Sequence, residues 1–203
     1  MLKFLLAWLA RADPVAQADA IFVPAGLKAR KVFAIQLMEK GIAPRVLFSV
    51  GRFEIRRFPE LGLPQTIDLL QMAQSIPPPQ RHFFVLFENQ QFTVERIRVR
   101  ILGTLSEIDA LADWLLVHPE ISSLLVVSSG SHLRRLRMCC RRSLRRNVNC
   151  SFVATPEDSG NLDLNRNAIL VECFKAACYS VFLPFWEVAR PFRWRIRSYL
   201  DRS

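Results

Sequence analysis

The segment Ser128-Ser129-Gly130-Ser131-His132, with Arg135 three residues further on, is the densest run of chemistry-bearing side chains in the sequence. An imidazole can hydrogen-bond or exchange a proton near neutral pH, and a guanidinium can hold a carboxylate or phosphate through two parallel bonds. Residues three apart share a helix face, so His132 and Arg135 would stand together at a helix start beside the serine hydroxyls. A surface histidine in an arginine-rich helix satisfies the same spacing. Three other segments also place small or polar residues after an apolar run or at a helix start. They are Pro24-Ala25-Gly26 with Arg30 one turn on, Ser49-Val50-Gly51, and Gly103-Thr104 with Glu107. Thr104-Leu105-Ser106-Glu107 equally fits a capping box, in which the threonine side chain and the glutamate side chain satisfy each other's backbone amides.

These residues share a ligand only if strands carry them to one edge. In an open α/β sheet the ligand lies beyond the carboxyl ends of the strands, where amides and helix N-termini point at it. The chain has the matching punctuation. Ala20 to Pro24 is a short apolar run, Gly26 breaks it, and Ala29, Val32, Phe33, Leu37 and Met38 recur at helical spacing up to Gly41. Val46 to Val50 then reads as a second strand. Helix signals from Thr66 to Ala73 run into the Pro77-Pro78-Pro79 stop, and His82 to Phe87 and Phe92 to Ile101 read as a hairpin around Glu88-Asn89-Gln90-Gln91. Thr104 to His118 predicts a helix, Leu124 to Ser129 a buried strand, and 131–146 an arginine-rich helix capped by Ser131. Ser151 to Ala154 predicts a strand, Thr155 to Asn161 a loop and Leu164 to Phe182 a last helix. Strands alternating with helices predict an α/β fold with a mainly parallel sheet and an inserted hairpin.

The 203 residues suit one domain, 1–183, followed by a basic aromatic tail, 184–203. The charge of +10, from 28 Lys+Arg against 18 Asp+Glu, points to a polyanionic partner and is concentrated at 134–146 and 190–202. Arg134, Arg135, Arg137, Arg141, Arg142, Arg145 and Arg146 could track phosphates, but no aromatic residues interleave for base stacking, so a solvated face is preferred to nucleic acid. In the tail, Phe185, Trp186, Phe192, Trp194 and Tyr199 alternate with five arginines, as in helices that lie on anionic membranes; packing onto the domain is the rival. The apolar run Leu2 to Ala10 is short of the ~20 residues needed to span a bilayer and reads as an amphipathic lead-in helix. The five cysteines have neither disulfide nor zinc spacing, which suggests a reducing, cytoplasmic compartment, with the inner-membrane surface as a further point of contact. No Ser-His-Asp order, H-E-x-x-H, Walker sequence or G-x-G-x-x-G occurs, so no cofactor is named.

Taken in order, the segments from Ala18 to Tyr179 resemble the YdcF-like (SanA/ElyC-type) bacterial domain family. ADAIFVPAG is similar to the family's A-D-A-I-V-V-L-G-G opening, and Arg30, Ala34 and Gly41-Ile42-Ala43-Pro44 follow in the family's order. VLFSVG resembles its S-G-G strand end, GTLSE its S-T-x-E segment, and VVSSGSHLRR its V-T-S-x-x-H-x-x-R signature. Glu172, Lys175 and Tyr179 reproduce an E-x-x-K-x-x-x-Y helix motif. Ala25-Gly26 and Val50-Gly51 stand where the family carries glycine pairs. The resemblance implies a Rossmann-like three-layer αβα sandwich and a link to the cell envelope. Together the residues and the resemblance lead to one expectation, an anionic or nucleotide-like small molecule bound at the strand ends. Gly26, Arg30, Ser49, Gly51, Thr104, Ser129 and Arg135 would bind it, and His132 and Glu107 would handle protons if there is chemistry.

Overall fold

A computed structural model describes residues 8–62, 68–99, 103–156 and 170–183. Four apolar runs, β1 (Ala20–Val23), β2 (Arg45–Gly51), β5 (Ser123–Ser128) and β6 (Asn149–Ala154), lie parallel, and the hairpin β3 (His82–Glu88) and β4 (Gln91–Arg96) extends the sheet beyond β2. The order is β4-β3-β2-β1-β5-β6. β1, buried at every position, is central, as its unbroken apolar sequence requires of a strand covered on both faces.

Two cores flank the sheet. On one face Phe22, Leu47, Leu124 and Val126 pack with Leu105, Ile108 and Leu111 of α3 (Gly103–Val117) and Leu133 and Leu136 of α4 (Gly130–Ser143). On the other, Ile21, Val23, Phe48 and Val127 pack with Ala34 and Leu37 of α1 (Lys28–Glu39), with Ile55, and with Leu69 and Ala73 of α2 (Leu69–Gln74). Adjacent residues of β1 and β5 go to opposite cores, which gives the α/β sandwich its three layers. A fifth helix, α5, covers 170–183 and closes on the first core through Tyr179 and Leu183.

The turns follow residue chemistry. Gly41, at φ +75°, donates its amide to Met38 O at 2.9 Å and ends α1. Asn89 and Gln90 both have positive φ, the backbone of the tight hairpin turn that matches strand twist. Several boundaries differ from those the sequence predicts. The second hairpin strand stops at Arg96; the pairing runs out one residue on, where Ile97 donates its amide at 2.9 Å to the carbonyl of His82, the first residue of β3. α2 starts late, at Leu69, where the Asp68 carboxylate accepts from the Leu70 and Gln71 amides. The N-cap of α4 is Ser129 rather than Ser131, so the helix starts one residue after the strand-end hydroxyls and ends at Ser143, short of Arg145 and Arg146. The tail 184–203, the start of the last helix, most of the 155–161 loop and most of the N-terminal run lie outside the described residues. Among the described residues no helix is long and apolar enough to cross a membrane.

Candidate functional site

The chain leaves β1 toward β2 on one side and returns as β5 on the other, so a crevice opens between β1 and β5 at their carboxyl ends. The sequence-selected segments meet there. Arg30, on the first turn of α1, folds back under the β1 loop: one guanidinium nitrogen donates to Ser129 Oγ, and Nη1 lies 3.4 Å from Ala25 O. Gly26 permits this approach. It has φ +142°, and a Cβ there would fall 2.7 Å from Arg30 Nη1.

Glu107 decides between the two readings of its segment. Its Oε1 accepts from the Ala25 amide at 2.8 Å, across to the β1 loop, rather than returning to Thr104 as a capping box requires. Helix α3 already includes Gly103, which places Thr104 inside it. The Thr104 hydroxyl is instead shared between His132 Nε2, 3.3 Å away, and Tyr179 of α5. His132 Nδ1 lies 3.2 Å from Ser128 Oγ.

Burial governs His132. It is the largest cause holding the imidazole well below its usual 6.5, and the positive charges of Arg135, Arg30 and Lys175 reinforce it. The ring is therefore neutral at pH 7, a hydrogen-bonding hub between two hydroxyls rather than a proton donor poised at neutrality. Ser49, completely buried on β2, shares a 2.7 Å hydrogen bond with His82 Nε2, and the same nitrogen is 3.8 Å from Glu107 Oε1. A relay needs serine and carboxylate on opposite ring nitrogens, so Ser49, His82 and Glu107 do not form one.

Arg135 departs from its expected place. Its guanidinium pairs with Glu172 at 2.9 Å and lies over Tyr179, turned toward α5. The distant Glu172-Lys175-Tyr179 motif is thus brought to the same end of the sheet: Lys175 bonds Glu172 at 2.8 Å, and its charge reaches His132. The arginine-rich helix is not one solvated face either. Arg134 stacks on Trp8 at 3.9 Å, and Arg137 pairs with Asp13 at 3.0 Å, leaving Arg141, Arg145 and Arg146 exposed.

Three residues of this region, Lys31, Glu54 and His82, are not marked by the sequence as site residues. Glu54, just past β2, accepts from the Gly26 amide and, at 3.4 Å, from the Gly51 amide, and it pairs with buried Lys31 at 2.8 Å. His82 opens an antiparallel strand and so reaches the carboxyl ends of its parallel neighbours from its own amino end. Only the position of Glu54 three residues after Gly51 carried a sequence signal.

No protein-family model, curated protein or solved structure matches the chain. What the arrangement can do therefore rests on its own chemistry. It gathers two buried cations, neutral imidazole and hydroxyl groups, and glycine amides at the strand ends, beside a cavity of about 470 Å³ lined by Gly26, Lys31, Gly51, Phe53 and Phe58 among others. Among the described residues no cluster of His, Cys, Asp and Glu could hold a metal ion.

Proposed function

We propose that this protein binds an anionic or nucleotide-like small molecule at the carboxyl ends of β1, β2 and β5, as a YdcF-like domain acting in a process linked to the cell envelope. The observation that carries the reading is the burial of Arg30 and Lys31, 8% and 3% exposed, beneath a glycine loop at the sheet's crossover point. Two cations in so dry a place, with amides beside them, are complementary to a phosphate or carboxylate. Gly26, Gly51 and Ser129 would supply amides and a hydroxyl, while Ser49, Thr104, His132 and Glu107 brace the loops that carry them. Arg135 braces α5 rather than clamping the ligand. Ser49 and Ser128 are completely buried and held by His82 and His132, so neither hydroxyl is placed to attack a substrate.

A thermal-shift screen of nucleotides, sugar phosphates and lipid-carrier phosphates tests this, with Arg30→Ala and His132→Ala as controls. A ligand above its dissociation constant raises stability by RT ln(1 + [L]/Kd), and the shift should shrink in both variants. Shifts that ignore both substitutions would overturn the assignment.

A second reading, contact with an anionic membrane surface, is favoured by Leu170, Phe174, Val181 and Phe182, which are exposed on α5 immediately before the basic aromatic tail. It predicts flotation with anionic vesicles that is lost on deleting 185–203 and weakened by Phe174→Ser. Unchanged flotation in both variants rules it out.

A further inference from the structure

Glu54 stands where the anionic group of a ligand would stand. Its two carboxylate oxygens take the Gly26 amide, the Gly51 amide and the Lys31 ammonium, so the cradle proposed for the ligand is filled by the chain itself. The adjoining cavity has the size of a small-molecule site, about 470 Å³, and four large apolar side chains in its lining: Leu27, Phe53, Phe58 and Leu61. Phe53 and Leu27 are 80% and 59% exposed, an apolar rim on which the Arg52 guanidinium lies 4.3 Å from the centre of the Phe53 ring. The charged residues of the same lining are Lys28, Lys31 and Arg57 against Glu54, and Lys28 also pairs with Glu60 at 3.1 Å, so three cations meet two carboxylates. That balance favours one further anion, and removing the Glu54 carboxylate from the cradle would increase it.

We propose that the Glu54 carboxylate is an internal, displaceable stand-in for the ligand's anionic group, and that the ligand is a phosphate-bearing molecule with an aromatic or otherwise apolar body. The phosphate would exchange with the carboxylate on the Gly26 and Gly51 amides and Lys31, and the apolar body would cover Phe53 and Phe58. The exchange is selective by charge. A phosphate brings more charge and one more acceptor oxygen than the carboxylate it replaces, while an uncharged ligand of the same shape would leave Lys31 buried without a counter-ion if it displaced Glu54. The device sets a threshold for occupancy, since any ligand must first compete with a tethered anion at high effective concentration. This inference rests on the anion-binding reading of the site and adds its ligand class and its gate.

The test uses phenyl phosphate, benzyl alcohol and inorganic phosphate with the wild type, Glu54→Ala and Lys31→Met/Glu54→Ala, followed by calorimetry and thermal unfolding. Glu54→Ala should bind phenyl phosphate at least about tenfold more tightly than the wild type. It should also be stabilised by inorganic phosphate more than the wild type is, and lose both gains when Lys31→Met is added. Benzyl alcohol should show no such gain. If Glu54→Ala binds phenyl phosphate no more tightly than the wild type, Glu54 is not a stand-in. The broader reading survives that result when a screened ligand still depends on Arg30, and falls separately when none does. Should Glu54→Ala not fold, the wild type suffices. Saturating phenyl phosphate must move the Gly26 and Gly51 amide resonances, and unmoved resonances overturn the inference.

Discussion

The two halves of the strand-end cluster meet at Arg30 and Glu107 but are built on different chemistry. On the β1–β2 side, formal charges face each other: Lys31 against Glu54, with glycine amides between, at the edge of an open cavity. On the β5 side, Ser128, His132, Thr104 and Tyr179 form a chain of neutral groups closed over by α5. On the proposed reading the first half exchanges one anion for another without leaving a polar group unmatched. The second cannot admit a ligand without breaking hydrogen bonds it has already made, so it acts as the rigid wall against which the first half works.

If that division is right, the largest effect should come from breaking the charged half. Lys31→Met leaves Glu54 with its amides but without its counter-ion and is expected to cost about 2–4 kcal/mol in urea denaturation. Lys31→Met/Glu54→Gln should cost less than the sum of the single changes, and strict additivity would mean that the pair does not interact. Gly26→Ala comes next. It forces a side chain onto φ +142° and into the Arg30 guanidinium, for an expected loss of about 1–3 kcal/mol. Gly51→Ala, whose Cβ would meet Ala25 and His82 at an ordinary 3.7 Å, should stay within about 0.5 kcal/mol. Equal costs at the two glycines would erase the asymmetry between the β1 loop and its β2 neighbour.

The same asymmetry explains what could be read in the sequence. The α/β alternation, the hairpin and the central burial of β1 follow from local rules of period and turn chemistry, and those rules bring Gly26, Arg30, Ser49, Gly51, Thr104, Glu107, Ser129 and His132 to one edge. Pairings between distant elements were not legible. Arg135 sits at the right helical spacing, but Glu172, far along the chain, turns it toward α5. Glu54 follows β2 in an irregular stretch that becomes a short 3-10 turn, Ile55–Leu61, and no periodic pattern announces its reach back to Gly26. The sequence marks His82 only as the first residue of an apolar strand; antiparallel pairing with β2 puts it opposite Gly51 and beside Ser49. Capping chemistry misled in the same way: Thr104 and Glu107 have the spacing of a box, but the crowded strand ends offer both side chains tertiary partners.

The smallest effect belongs to the neutral half and appears as a dependence on pH. In the unfolded chain His132 titrates near its usual 6.5, whereas burial and the neighbouring cations hold it well below that in the folded protein. Between those two values the unfolded state binds a proton that the folded state does not. His132 therefore contributes its full stability above about pH 6.5 and loses it as the pH falls, by at most about 1.4 kcal/mol per pH unit. Asp19 is held at about 2 chiefly by the Ser122 amide and then by the Ser123 hydroxyl and amide; at Asp13 burial is the largest single influence but is outweighed by hydrogen bonds from Arg137 and the Phe152 amide together with the Arg137 charge, and both carboxylates lose their contributions as the pH falls below about 4. The difference between wild-type and His132→Gln urea midpoints, followed from pH 7.5 to 5, isolates the contribution of this histidine. A glutamine can still donate to one hydroxyl and accept from the other but does not titrate, so its curve should be flatter than the wild type's across that window. Parallel curves would mean that His132 takes up protons freely in the folded state, and the β5 half would then be a second charged wall rather than a neutral one.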